Sequence, residues 1–256
     1  VLGDVKMRNK AMRMIGFIVL LMFFIFILTN IFEFKYGDGI YGMKKFYELE
    51  DDSVDVLILG SSHAFESFNT SVLWDEYGIA AFNLCGSMQP LWNTYYYLEE
   101  ALKTQTPKMI ILEGYMLTYE SDYSDDSRII KNTYGLKWSN TKWRALQDSV
   151  PKERFWEFAI GYSQFHGRYS EISKEDFLKN RGSALLTNFK GFGCNMETTA
   201  FSRPQIDAVV SEEKIPLKSR TYFIKILELA QNKGIPIIVA ISPYAGITEK
   251  DQAIYN

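Results

Sequence analysis

The chain has 256 residues, 47% hydrophobic, 15% aromatic and 23% charged, a composition that supports a sizeable core and excludes a disordered or low-complexity chain. With 28 Lys+Arg against 31 Asp+Glu the formal net charge is -3, so no global basic field is present to hold a phosphate backbone, and nucleic acid is not an expected partner. Two cysteines, Cys85 and Cys194, and two histidines, His63 and His166, are too few for a disulfide scaffold or a zinc cage. No metal or other cofactor is expected, and a single Cys85–Cys194 bridge stays open.

The first element is apolar. From Met14 to Phe32 the sequence MIGFIVLLMFFIFILTNIF carries no charge, and about 19 residues rising roughly 1.5 Å each can cross a hydrocarbon core of about 30 Å. A signal peptide is the competing reading, but the stretch is long for one and no small-x-small cleavage site follows. Lys6, Arg8, Lys10 and Arg13 precede the span and few basic residues follow it closely. That bias predicts a cytoplasmic N-terminus (1–13), a single-pass anchor (14–32) and an extracytoplasmic remainder. Residues 33–53 read as a juxtamembrane connector, with the domain starting near Val54.

Beyond the connector, Val54 to Leu59 is an aliphatic run ended by Gly60, the pattern of a strand buried on both faces. Asn69-Thr70 caps a short helix that Gly78 stops, and Ile79 to Leu84 is a second strand. Pro90 opens a helix to about Lys103, and Met109 to Leu112 is a third strand. Ser219 caps a periodic helix to Lys233, closed by Gly234, and Ile235 to Ile241 is a further buried strand. Strands alternating with helices at these spacings predict βαβ units and a parallel sheet. Between Tyr115 and Pro216 lie about a hundred residues without the repeat, read as a mostly helical inserted cap over 118–216. The chain opens on Val1 and its βα order wants one more unit, so the sequence reads as part of a longer protein.

Chemistry is expected at the carboxyl ends of the strands, where open α/β sheets bind ligands. At Leu59-Gly60-Ser61-Ser62-His63, a serine on a strand-to-helix turn can present both its hydroxyl and its own N–H to one hollow. Asn83-Leu84-Cys85-Gly86-Ser87 ends the next strand, and Gly86 lets a substrate approach the backbone and supplies a second N–H. Glu113 ends the third strand, as a substrate contact or as a buried, paired carboxylate. His63 directly follows Ser62, so its side chain diverges from the serine; it reads as a turn-stabilising or substrate-edge group. His166 and Arg168, in the insertion, are candidate substrate contacts, with a structural hydrogen bond the alternative for His166. Trp92, Tyr95, Tyr96 and Tyr97 suggest sugar stacking, although aromatic runs on helices are more often core. The run Asp122, Asp125 and Asp126 lacks the Gly and Glu of a calcium loop and reads as solvated.

Leu57-Ile58-Leu59-Gly60-Ser61-Ser62 resembles the first block of the SGNH (GDSL-like) hydrolases, with Ser61 in place of their Asp and Ser62 matching the nucleophile. Asn83-Leu84-Cys85-Gly86 is similar to their second block, whose glycine N–H joins the oxyanion hole. The resemblance covers Val54 to about Leu117 and Lys218 to Tyr244. It is nearest to the membrane-anchored branch serving cell-envelope polymers, such as proteins of teichoic acid D-alanylation and exopolysaccharide O-acetylation. It implies a three-layer α/β/α fold with a parallel sheet (flavodoxin-like) and serine esterase or O-acyltransferase activity through an acyl-enzyme. The implied partners are the lipid bilayer, a cell-surface glycopolymer and a membrane-bound O-acyltransferase. Two blocks depart from the pattern. Gly114-Tyr115-Met116-Leu117 has Met116 where the family's oxyanion Asn stands, and no Asp-x-x-His occurs up to Asn256. Those departures sustain the alternative of a non-catalytic anchored module that binds an envelope polymer or a membrane acyltransferase.

Overall fold

A computed structural model of the chain describes residues 2–33, 37–160, 165–177, 189–193 and 215–242. By its internal contacts the chain divides into two compact units, Val1–Lys35 with Trp156–Arg181, and Tyr36–Phe155 with Gly182–Asn256.

In the first unit, α1 (Leu2–Phe32) is one continuous helix. Its stretch Met7–Phe32 is long and apolar enough to cross a membrane, and none of its apolar window is buried. At 26 residues it is roughly 39 Å long. Two 3-10 turns, His166–Ser170 and Lys174–Phe177, pack against it.

The second unit carries a four-stranded, all-parallel sheet in the order β2-β1-β3-β4: β1 Val56–Gly60, β2 Ala81–Cys85, β3 Met109–Glu113 and β4 Ile237–Ala240. Alternate residues serve opposite faces. Leu57, Leu59, Phe82, Leu84, Ile110 and Leu112 share a core with α2 (Gly42–Phe46), α5 (Leu91–Ala101) and a long helix, α9 (Leu217–Asn232). On the opposite side Ile58, Ala81 and Cys85 meet Ala64 and Phe65 of α3 (Ser62–Ser67) and Leu73 of α4 (Thr70–Tyr77). Full burial of a Leu or Ile side chain stabilises by about 1.5–3 kcal/mol, so central β1, with three wholly buried aliphatics, anchors both faces.

Local capping explains the helix ends. Asn69 Oδ1 accepts from the N–H groups of Ser71 and Val72, and Gly78 closes α4 in the left-handed region at φ 65. Asp125 N-caps α6 (Asp126–Thr133), and Asp126 pairs with Arg154, so the acidic run has structural tasks. Trp92, Tyr96 and Tyr97 are core residues.

Three expectations need revision. The connector is not a linker throughout: Met43 and Phe46 belong to the main core and Ile40 is fully buried, so the folded unit begins well before Val54. The insertion is not one cap. Leu136, and Ala145 of α7 (Asn140–Ser149), join the sheet's core, whereas residues from Trp156 group with α1, the division falling within α8 (Phe155–Ala159). β4 is not buried on both faces. It is an edge strand paired to β3 alone among the described residues, with Ile238 48% and Val239 43% exposed. The other edge, β2, is covered: Asn83 N–H donates to Lys190 O at 2.9 Å, and Gly191 lies against the Asn83 carbonyl.

Candidate functional site at the strand ends

Parallel register lines up the carboxyl ends of three strands. Gly60 pairs with Cys85 and Leu59 with Leu112, so Glu113 stands level with Gly60 and Cys85, and Ser61 and Gly86 follow one residue further on. Gly60 has φ +150, and a Cβ there would meet Glu113 Cβ at 2.7 Å; glycine is required for both its backbone and its neighbour. Ser61 is extended and fully buried. Its Oγ accepts from His63 N–H (3.3 Å), capping α3, and donates to Glu113 Oε2 (3.2 Å).

Glu113 is 1% exposed. Burial pushes its pKa up, opposed by hydrogen bonds from Tyr115 N–H (2.9 Å to Oε1) and from Ser61. Of its two expected readings, the structure shows the buried, hydrogen-bonded carboxylate, which fixes the turn preceding Ser62.

Ser62 is the first residue of α3 and half-buried; its hydroxyl has no hydrogen-bond partner among the described residues. His63 follows it in α3. Its ring stacks on Tyr115, with centroids 3.8 Å apart and planes 12° apart, its carbonyl accepts from Ser242 Oγ (3.1 Å), and burial lowers its pKa. Burial thus favours the neutral imidazole, and the residue is pinned between the ends of β3 and β4.

Gly86 is buried at the start of a turn in which Gln89 N–H donates to its carbonyl. Met88 in that turn has φ 49, a left-handed conformation uncommon for a non-glycine residue. Asn132 of α6 reaches the Cα side of Gly86: its Oδ1 occupies the space of a Cβ, while its Nδ2 donates to Ser87 O (3.2 Å) and Arg128 O (3.0 Å). The Asn132 oxygen facing Gly86 is buried and without a partner among the described residues. Met116 is buried and offers no donor.

Cys85 is a free, fully buried thiol donating to Ile58 O (3.4 Å), with its pKa pushed well up by burial and by Glu113. Cys194 lies outside the described residues, as does the His166 side chain. Arg168 belongs to the first unit, where its Nη1 donates to the carbonyls of Phe32 and Glu33. The structure thus gathers Ser62, His63, Gly86 and Glu113 at one edge of the second unit.

Sequence reasoning missed Tyr115, Ser242 and Asn132. Tyr115 and Ser242 follow the ends of β3 and β4, the one signal that could have found them; Asn132 left none. Among the described residues no group of three or more His, Cys, Asp or Glu could hold a metal ion. A cavity of about 520 Å³ bordered by Trp74, Ala81, Phe82 and Phe189 lies toward the opposite, N-terminal end of β2. Comparison with protein families, with curated proteins and with solved structures gave no match.

Proposed function

We propose that this protein is a membrane-anchored serine esterase or O-acyltransferase that works on an acylated cell-envelope polysaccharide or teichoic acid. In this reading α1 is a single-pass anchor with a cytoplasmic N-terminus, and the second unit is an extracytoplasmic domain of three-layer, SGNH-like arrangement. The observation that carries it is the Ser62 hydroxyl, unbonded among the described residues, on a turn that the Gly60–Ser61–Glu113 contacts hold rigid at the end of the central strand. Ser62 Oγ attacks the acyl carbonyl, and the N–H groups of Ser62 and Gly86 hold the oxyanion. The serine proton passes to a general base and on to the leaving polymer hydroxyl; water or an acceptor hydroxyl then displaces Ser62. His63, stacked on Tyr115, is not assigned that role in this reading. The family resemblance assigns the role to an Asp-x-x-His histidine.

Membranes containing the protein, treated with a fluorophosphonate, test this. The expected result is a phosphonylated Ser62 peptide, absent from Ser62→Ala; no modified serine, or undiminished labelling of Ser62→Ala, overturns it. A second reading, a non-catalytic module docking an envelope polymer or a membrane acyltransferase, is favoured by the acceptor oxygen of Asn132 against Gly86 and by buried Met116. It predicts the unlabelled outcome.

A further inference from the structure

The end of α1 is wrapped by its own unit. From Met7 to Phe26 the helix is exposed throughout, whereas Ile27, Leu28, Thr29, Ile31 and Phe32 are half-buried and Glu33 is buried. The cover comes from the turns His166–Ser170 and Lys174–Phe177. Arg168 Nη1 donates to Phe32 O and Glu33 O, both at 2.7 Å, satisfying carbonyls that a helix end leaves without partners. Asp176 binds Arg168 Nη2 at 3.4 Å and accepts from Ser173 N–H at 2.9 Å, which ties the second turn to the first. With Arg168 12% and Asp176 3% exposed at the side chain, the guanidinium charge is neutralised inside the unit, as a low-dielectric boundary demands.

Two aromatic residues beside this clamp face outward among polar neighbours. Tyr169, next to Arg168, is 77% exposed and Phe177, next to Asp176, is 64% exposed; Trp156 (63%) and Ile160 (52%) of the same unit are exposed as well. Scattered exposed aromatics are ordinary on a soluble surface. Here Tyr169 and Phe177 adjoin the level at which an apolar, uncovered helix surface ends, and that level is where membrane proteins place aromatic belts.

We infer that these turns, with Trp156 and Ile160, form a collar seated in the headgroup and upper acyl region of the bilayer at the exit of α1, with Arg168 fixing its height. Lipid fits better than a protein partner because Tyr169 and Phe177 stand on turns packed against the end of α1 and the clamp itself pairs Arg168 with Asp176. The inference rests on the reading of α1 as a membrane span.

The test uses the whole chain in vesicles whose phosphatidylcholine is brominated either high on the acyl chain or near its end. Native protein, Trp156→Phe, and Phe177→Trp in the Trp156→Phe background are compared for quenching by the lipid and by aqueous iodide. The collar predicts a shallow-bromolipid component that Trp156→Phe loses and Phe177→Trp restores, with that component sheltered from iodide. Retention in the membrane through alkaline carbonate together with a Trp156 signal that iodide quenches and bromolipid does not overturns the collar and leaves the span intact. Release by carbonate overturns both.

Discussion

Gly60 and Gly86 close neighbouring strands and look equivalent in the sequence, yet different kinds of neighbour demand each of them. At Gly60 the crowding comes from fixed Cβ atoms, Glu113 Cβ of the adjacent strand at 2.7 Å and Ala64 Cβ of α3 at 3.2 Å, with a backbone φ of +150. At Gly86 φ is unexceptional and the crowding comes from side-chain ends, Asn132 Oδ1 and Gln89 Oε1, the former from a helix more than forty residues on. One glycine is a backbone requirement set by sheet register; the other is a packing requirement set by a long-range contact.

That difference is testable by rescue. Gly60→Ala should be the most damaging change, costing about 2–4 kcal/mol from backbone strain plus overpacking. Adding Glu113→Ala should not restore it, because the alanine keeps the Cβ that clashes and φ is unaltered. Urea unfolding followed by near-ultraviolet circular dichroism reads both variants. Recovery in the double variant would show that Gly60 is crowded by the carboxylate alone.

Gly86→Ala should cost less, about 1–3 kcal/mol, since only side-chain ends, that of Asn132 foremost, must move. Here rescue is expected. Asn132→Ala alone loses the bonds to Ser87 O and Arg128 O, but Gly86→Ala with Asn132→Ala should be more stable than the sum of the two losses by about 0.5–3 kcal/mol. An additive pair would mean that Gly86 is kept for some other reason, substrate approach among them.

The same distinction marks what could be read in the chain. Most caps were legible because their chemistry is local: Asn69 and Gly78 around α4, and Gly234 after α9, stand where their side chain or lack of one predicts, whereas Ser219, expected to cap α9, lies inside it after Pro216 and donates to Tyr119 O instead. The β1–β3 alternation was legible from aliphatic runs, and with it the placing of Ser62, Gly86 and Glu113 at strand ends. Helix α3 was not, because Ser62–Ser67 is too short to show a period, although Ser61 is a good cap. Nor was the burial of Ile40, Met43 and Phe46, or the arrival of Asn132 at Gly86, since a one-dimensional pattern shows which face is apolar and not which distant element covers it. The insertion misled for the same reason: its halves pack on different partners.

Glu113 is the group that the missing side chain of Gly60 admits, and it yields the smallest expected effect. Burial raises its folded-state pKa above the ordinary 4.5, so the unfolded chain loses this proton first as pH rises. Below about pH 4.5 the carboxyl is protonated in both states and folding carries no penalty from it. Above that value the folded state binds more protons than the unfolded, and stability falls with rising pH until Glu113 ionises in place, after which the loss is constant. Glu113→Gln keeps an acceptor for Tyr115 N–H, lets Ser61 Oγ accept instead of donate, and has no proton to lose. His63 runs the other way: its lowered pKa makes its contribution full above 6.5 and lost as pH falls, but both proteins share it. The difference in urea midpoint between native protein and Glu113→Gln, measured from about pH 4 to pH 8, should therefore shift toward the variant as pH rises, then level. Parallel curves would show that the hydrogen bonds from Ser61 and Tyr115 fully offset burial, making Glu113 a carboxylate already stabilised as an anion at the foot of the Ser62 turn.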